Sequence, residues 1–123
     1  MPRPMHFEIP VDDANRAAAF YQQAFGWEIQ QWEGAPYWLV TSGPDEEPGI
    51  NGALGPRGEN FMAPMFVIAV DDIEAAMKTA ERAGAKIVVD KSPIPGVGWS
   101  AYFTDTEGNQ MGLFQDDTSV TMD

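Results

Sequence analysis

Cysteine is absent from this 123-residue chain, which removes disulfides, thiol nucleophiles and thiolate metal sites together. Histidine is almost as scarce: His6 is the one imidazole, and no Ser/His/Asp arrangement can be argued around it. Positive charge is also short, with 7 basic against 19 acidic side chains and a net charge of −12. A phosphate backbone or an anionic membrane therefore meets a field of the wrong sign. No apolar run approaches the ~20 residues of a membrane span. The opening Met1-Pro2-Arg3-Pro4 lacks the apolar stretch of a signal peptide. The Pro/Gly stretch from Ser92 to Gly98 is followed by no Gly-Lys-Ser/Thr, so it is not a phosphate loop. Together these absences predict a soluble, cytoplasmic protein that engages neither nucleic acid nor membrane.

What is present is a duplication. Met5 to Val11 leads into Asp12-Asp13 and a helix-patterned stretch ending at Phe25-Gly26; Met65 to Val70 leads into Asp71-Asp72 and a second such stretch ending at Ala83-Gly84. The acidic pairs, at 12 and 71, recur at an interval of 59 residues. A repeat of this kind implies one supersecondary unit used twice. The 44% hydrophobic content is enough for one compact core, too little for two large independent domains.

Within the first copy, alternation sends Met5, Phe7, Ile9 and Val11 to one face of a strand and His6, Glu8 and Pro10 to the other. Ala14 to Phe25 reads as a helix capped by Asp12 or Asp13. Trp27–Trp32, Tyr37–Thr41 and Ile50–Leu54 then read as strands, with Glu33 to Pro36 as a turn. The second copy reads Phe66–Val70, a helix opened by an Asp71/Glu74 capping box, Lys86–Asp90, a loop over Ser92–Gly98, and a hairpin of Trp99–Thr104 with Gln110–Gln115. The expected organisation is one domain, 1–123, made of a βαβββ module at 5–54 and another at 64–115. A linker at 55–63 and a loose polar tail at 116–123 complete it.

The chain resembles the glyoxalase/bleomycin resistance/dioxygenase superfamily, also called the vicinal oxygen chelate superfamily. The resemblance is carried by His6-Phe7-Glu8-Ile9-Pro10-Val11-Asp12-Asp13 with Phe20-Tyr21 and Phe25-Gly26-Trp27, by Val70-Asp71-Asp72 with Ala83-Gly84, and by Gly98-Trp99, Phe103, Asp105, Gly108-Asn109 and Gly112-Leu113. It implies an α+β fold in which two βαβββ modules form a curved, open mixed-sheet barrel with the helices outside. It also implies four metal-ligand positions, one near the start of the first strand and one in the fourth strand of each module, usually His, Glu or Gln. His6 occupies the first. The 59-residue interval carries it to Met65, a thioether ill suited to hard or borderline divalent ions. Gly112 stands where the family's Glu would precede Leu113, and the fourth position falls at Asn51 or Gly52.

No metal is therefore expected to be bound, and His6 with Glu8 is a candidate acid/base pair. Flat apolar side chains suit a small organic ligand, and Trp38, Met65, Trp99, Phe103 and Met111 are the candidate pocket residues. Two functions follow. One is metal-independent small-molecule binding in the manner of bleomycin-resistance proteins; the other is a lyase, isomerase or dioxygenase acting on a small oxygenated substrate. A homodimer is expected in either case, since exposed sheet edges need cover.

Overall fold

The computed structural model describes residues 1–121. Its elements follow the order β1 (Arg3–Val11), α1 (Ala14–Phe25), β2 (Glu28–Gln31), β3 (Trp38–Thr41), β4 (Gly52–Pro56), β5 (Met65–Ala69), α2 (Ile73–Arg82), β6 (Lys86–Ile94), β7 (Gly98–Thr104) and β8 (Gln110–Asp116). Each half is a βαβββ module, and the chain is of the α+β class. Contacts divide it into two compact units, Met5–Met65 and a second that joins Met1–Pro4 to Phe66 onward.

In the first unit the strands run in the order β2-β3-β4-β1, with β1 parallel to β4 and the other pairs antiparallel. Phe7, Ile9 and Val11 alternate onto the face that α1 covers, where they join Val40, Leu54, Ala17 and Tyr21 in one core. Leu54 is fully buried, as is Ile73 in the second core. Burial of such a side chain contributes about 1.5–3 kcal/mol. Asp13 caps α1 by accepting from the Arg16 amide at 3.0 Å. Between β2 and β3 the chain reverses through residues 33–36, with Glu33 and Gly34 at positive φ forming a tight turn closed by the Ala35 N–H bond to Trp32 O at 2.8 Å.

In the second unit the order is β5-β8-β7-β6, with β5 parallel to β8. Its core gathers Val70, Ile73, Met77, Ala101, Phe103 and Leu113 beneath α2. Both modules are open, β2 and β6 each being paired on one side only.

Four local expectations are corrected. The cap of α2 is Asp72, not Asp71; its carboxylate accepts from the Ala75 amide at 3.1 Å, one residue out of register with an Asp71/Glu74 box. Strand β4 starts at Gly52 and runs to Pro56, into the expected linker. Strand β6 continues through Ser92 and Pro93 to Ile94, because a proline without an N–H is tolerated on an edge strand. Finally, the described part of the tail is tied down: Gly96 N–H donates to Val120 O and Asp117 N–H to Val97 O, each at 2.9 Å, and Val120 is buried. Met122 and Asp123 of the expected tail lie outside the described residues.

Candidate functional site

The face of the first module opposite α1 carries the candidate site. Glu8 sits mid-strand on β1 between Phe7 and Ile9, so alternation turns it away from the helix-side core. It is nonetheless only 6% exposed, the one buried charged residue among those described. A carboxylate so placed needs partners.

Tyr37, just before β3, donates its hydroxyl proton to Glu8 Oε2 at 2.8 Å. The same hydroxyl lies 3.2 Å from His6 Nε2, and His6 Nε2 is 3.8 Å from Glu8 Oε2. Register explains the reach. Glu8 lies opposite Ala53, and Ala53 opposite Leu39, so the three share one face. Strands are about 4.8 Å apart, which puts β3 and β1 roughly 10 Å from each other. Tyr37 crosses that distance because β4 offers only Ala53 and Gly55 beneath it; a Cβ on Gly55 would lie 3.9 Å from the Tyr37 ring. Trp32 packs edge-on against Tyr37, with centroids 5.9 Å apart, and Leu39 leaves 42% of its surface exposed on the same face. Burial pushes the His6 pKa below its ordinary value, while the Glu8 carboxylate opposes that shift. The resting imidazole is thus neutral near pH 7.

The two sequence-predicted residues His6 and Glu8 are therefore brought together, with Tyr37 between them. The candidate pocket residues behave differently. Trp38 packs on the helix-side core of the first module, and Trp99 and Met111 pack on that of the second, where Phe103 is buried outright. Trp99 is held further by its Nε1–H bond to Asp117 at 3.3 Å and by the Lys91 ammonium 4.3 Å above its ring. These four side chains seal helices to sheets, which uses their large apolar area more fully than an open lining would. Met65 alternates with Ile68 of the α2-side cluster and so belongs to the opposite face of β5, where it is buried. Tyr37, Trp32 and Leu39 are not among the pocket residues chosen from the sequence. The signal for Tyr37 was its place one residue from Trp38, a single step of register.

The four metal-ligand positions can be assigned from register. Glu8 pairs with Ala53 and Val67 with Gly112, and both members of the second pair lie 59 residues after those of the first. The fourth position is thus Ala53, not Asn51 or Gly52; Asn51 instead accepts from the Ser42 amide at 2.9 Å. The donor set is one imidazole, a methyl, a thioether and a hydrogen. Gly112 is also crowded, since a Cβ there would lie 3.0 Å from Tyr102 Cε1 and 3.1 Å from Val67 Cγ2, so a side chain at 112 requires those neighbours to give way. Among the described residues no three His, Asp or Glu side chains are grouped so as to hold a metal ion. A catalytic divalent ion needs about three protein ligands, and these residues do not fit one.

Comparison with known proteins places these features. The family model for the N-terminal part of bleomycin resistance protein-like proteins matches residues 3–37, the stretch holding His6, Glu8 and Tyr37. A glyoxylase-like domain-containing protein of Didymella fabae is 32% identical over 108 residues, covering 83% of this chain and 84% of that one. A Mycobacterium bovis protein named for a glyoxylase, CFP32, is 25% identical over 118 residues, or 91% of this chain; the chain spans 45% of its length. Among solved structures, a glyoxalase/bleomycin resistance protein/dioxygenase superfamily member from Vibrio splendidus superposes with a TM-score of 0.64 at 17% identity, covering 95% of this chain and 100% of that one.

Proposed function

Because the chain belongs to the glyoxalase/bleomycin resistance/dioxygenase superfamily, we propose that it is a metal-independent small-molecule-binding protein whose ligand lies on the sheet face bearing His6, Glu8 and Tyr37. The observation that carries this reading is the buried Glu8, held by Tyr37 with His6 beside it, on a face where Leu39 and Trp32 supply apolar surface. Few, well-placed polar groups amid apolar surface are what a small organic ligand requires. The donor set argues against a metal-dependent member. Pairing into a homodimer, which would cover the β2 and β6 edges, and a cytoplasmic setting suited to a chain without cysteine belong to the same proposal.

The test is a melting-curve screen against small oxygenated and aromatic compounds, repeated with EDTA and with added Mn, Zn or Ni. Stabilisation by a ligand should be the same with and without chelator. Stabilisation lost with EDTA and restored by one of those ions would overturn the proposal.

One observation favours a second reading. Glu8 and His6 are joined through Tyr37 in a way that suits proton transfer, so a metal-free isomerase or lyase is the alternative. A dioxygenase is the weaker version, because it would need a redox metal. Under the enzymatic reading Glu8→Gln abolishes turnover while ligand binding survives.

A further inference from the structure

We infer that Glu8 and Tyr37 act as positioning residues that set the tautomer of His6, and that the site therefore takes a ligand able to donate a hydrogen bond to imidazole Nδ1. The second half rests on the ligand-binding reading above; the first does not.

A phenol has one proton. Here it goes to Glu8 Oε2 at 2.8 Å, so Tyr37 Oη meets His6 Nε2 at 3.2 Å as an acceptor. Nε2 then carries the ring proton. A neutral imidazole has only one, and Nδ1 is left with its lone pair. Glu8 cannot reach Nε2 directly, because 3.8 Å is beyond hydrogen-bond range. The result is a relay with one direction: His6 Nε2–H to Tyr37 Oη, Tyr37 Oη–H to Glu8 Oε2. The His6 side chain keeps 22% of its surface open, and Nδ1 makes no hydrogen bond among the described residues. An ether or ketone would set lone pair against lone pair at that atom, whereas an alcohol, amine or amide N–H would be matched.

His6 is the only histidine, so ¹⁵N-histidine labelling yields one pair of ring signals with no assignment problem. At about pH 8, above the imidazole range, Nε2 should read as protonated and Nδ1 as bare. An isolated imidazole already favours that form, so the variants carry the weight. Glu8→Leu removes the acceptor and frees the phenol proton to turn to Nε2, making the Nδ1–H form the major one. Glu8→Gln keeps an acceptor oxygen and the original pattern. The double variant Glu8→Leu/Tyr37→Phe has no proton to redirect and returns to Nε2–H. Persistence of Nε2–H in Glu8→Leu overturns the relay, as does Nδ1–H in the unaltered protein, a reading available even if that variant does not fold.

For the ligand, the unaltered protein is titrated with benzyl alcohol and benzyl methyl ether while Nδ1 is observed. The alcohol should displace the signal, with roughly tenfold weaker binding of the ether. Equal responses, or none to either, overturn the donor assignment and leave the relay standing. The melting-curve screen reports separately on whether this face binds anything at all.

Discussion

Replacing Tyr37 by phenylalanine removes one oxygen and leaves the ring against Trp32. Two hydrogen bonds go with that oxygen: the 2.8 Å bond to Glu8 and the 3.2 Å contact with His6. The second is partly recoverable, since His6 reaches solvent. Glu8, at 6% exposure, has little access to water to replace the donor it loses. A buried acceptor deprived of a partner costs about 1–3 kcal/mol, with the upper half of that range applying to a carboxylate. A loss of about 2 kcal/mol corresponds to roughly 8 °C in Tm at about 4 °C per kcal/mol for a domain of this size. Urea unfolding followed by tryptophan fluorescence measures it. Tyr21→Phe is the control: that ring stacks on Trp27 at 4.8 Å, its hydroxyl makes no hydrogen bond among the described residues, and the change should stay within about 0.5 kcal/mol. In a double-mutant cycle, Tyr37→Phe and Glu8→Leu should couple by at least about 1 kcal/mol. A Tyr37→Phe protein as stable as the control would refute the account of Glu8 as dependent on Tyr37.

Three further outcomes are expected. Burial lowers the folded-state pKa of His6 below the ordinary 6.5, so the unfolded chain takes up this proton first as pH falls. The contribution of His6 to stability is fully present above that value, declines as pH drops toward the folded pKa and levels off beneath it. Denaturation midpoints across this window should fall more steeply for the unaltered protein than for His6→Gln; parallel curves contradict the reasoning. Gly112→Ala puts a methyl 3.0 Å from Tyr102 and 3.1 Å from Val67 and should cost about 1–3 kcal/mol in chemical denaturation, a neutral result meaning that the space is not filled. Val120→Ala should cost ~1–2 kcal/mol, because Val120 is buried where the segment after β8 returns to the loop after β6; a change within experimental error would mean that this segment contributes nothing.

The duplication was legible because it rests on periodicity and punctuation, both local properties of the chain. Strand β1 was legible for the same reason: four apolar residues at period two leave His6 and Glu8 no choice of face. The pocket residues were not. Tyr37 and Trp38 are adjacent, and which of them shares a face with Glu8 depends on the pairing of β3 with β4, a long-range fact that one step of slippage reverses. Trp99 and Phe103 share a parity, and their face is decided by the pairing of Ala101 with Leu113 beneath α2. The extension of β6 through Pro93 was hidden because proline usually argues against a strand, a rule that lapses at an edge.

The packing over Gly112 constrains how this chain could ever acquire a liganding carboxylate on β8. A side chain at 112 would enter a volume bordered at 3.0 Å by Tyr102 and at 3.1 Å by Val67, so its cost is set by how far those two side chains give way. Room for it comes from a shift of Tyr102 and Val67, and that shift by itself confers no coordination. A glutamate in that strand is therefore tied to the repacking of two side chains from its neighbouring strands.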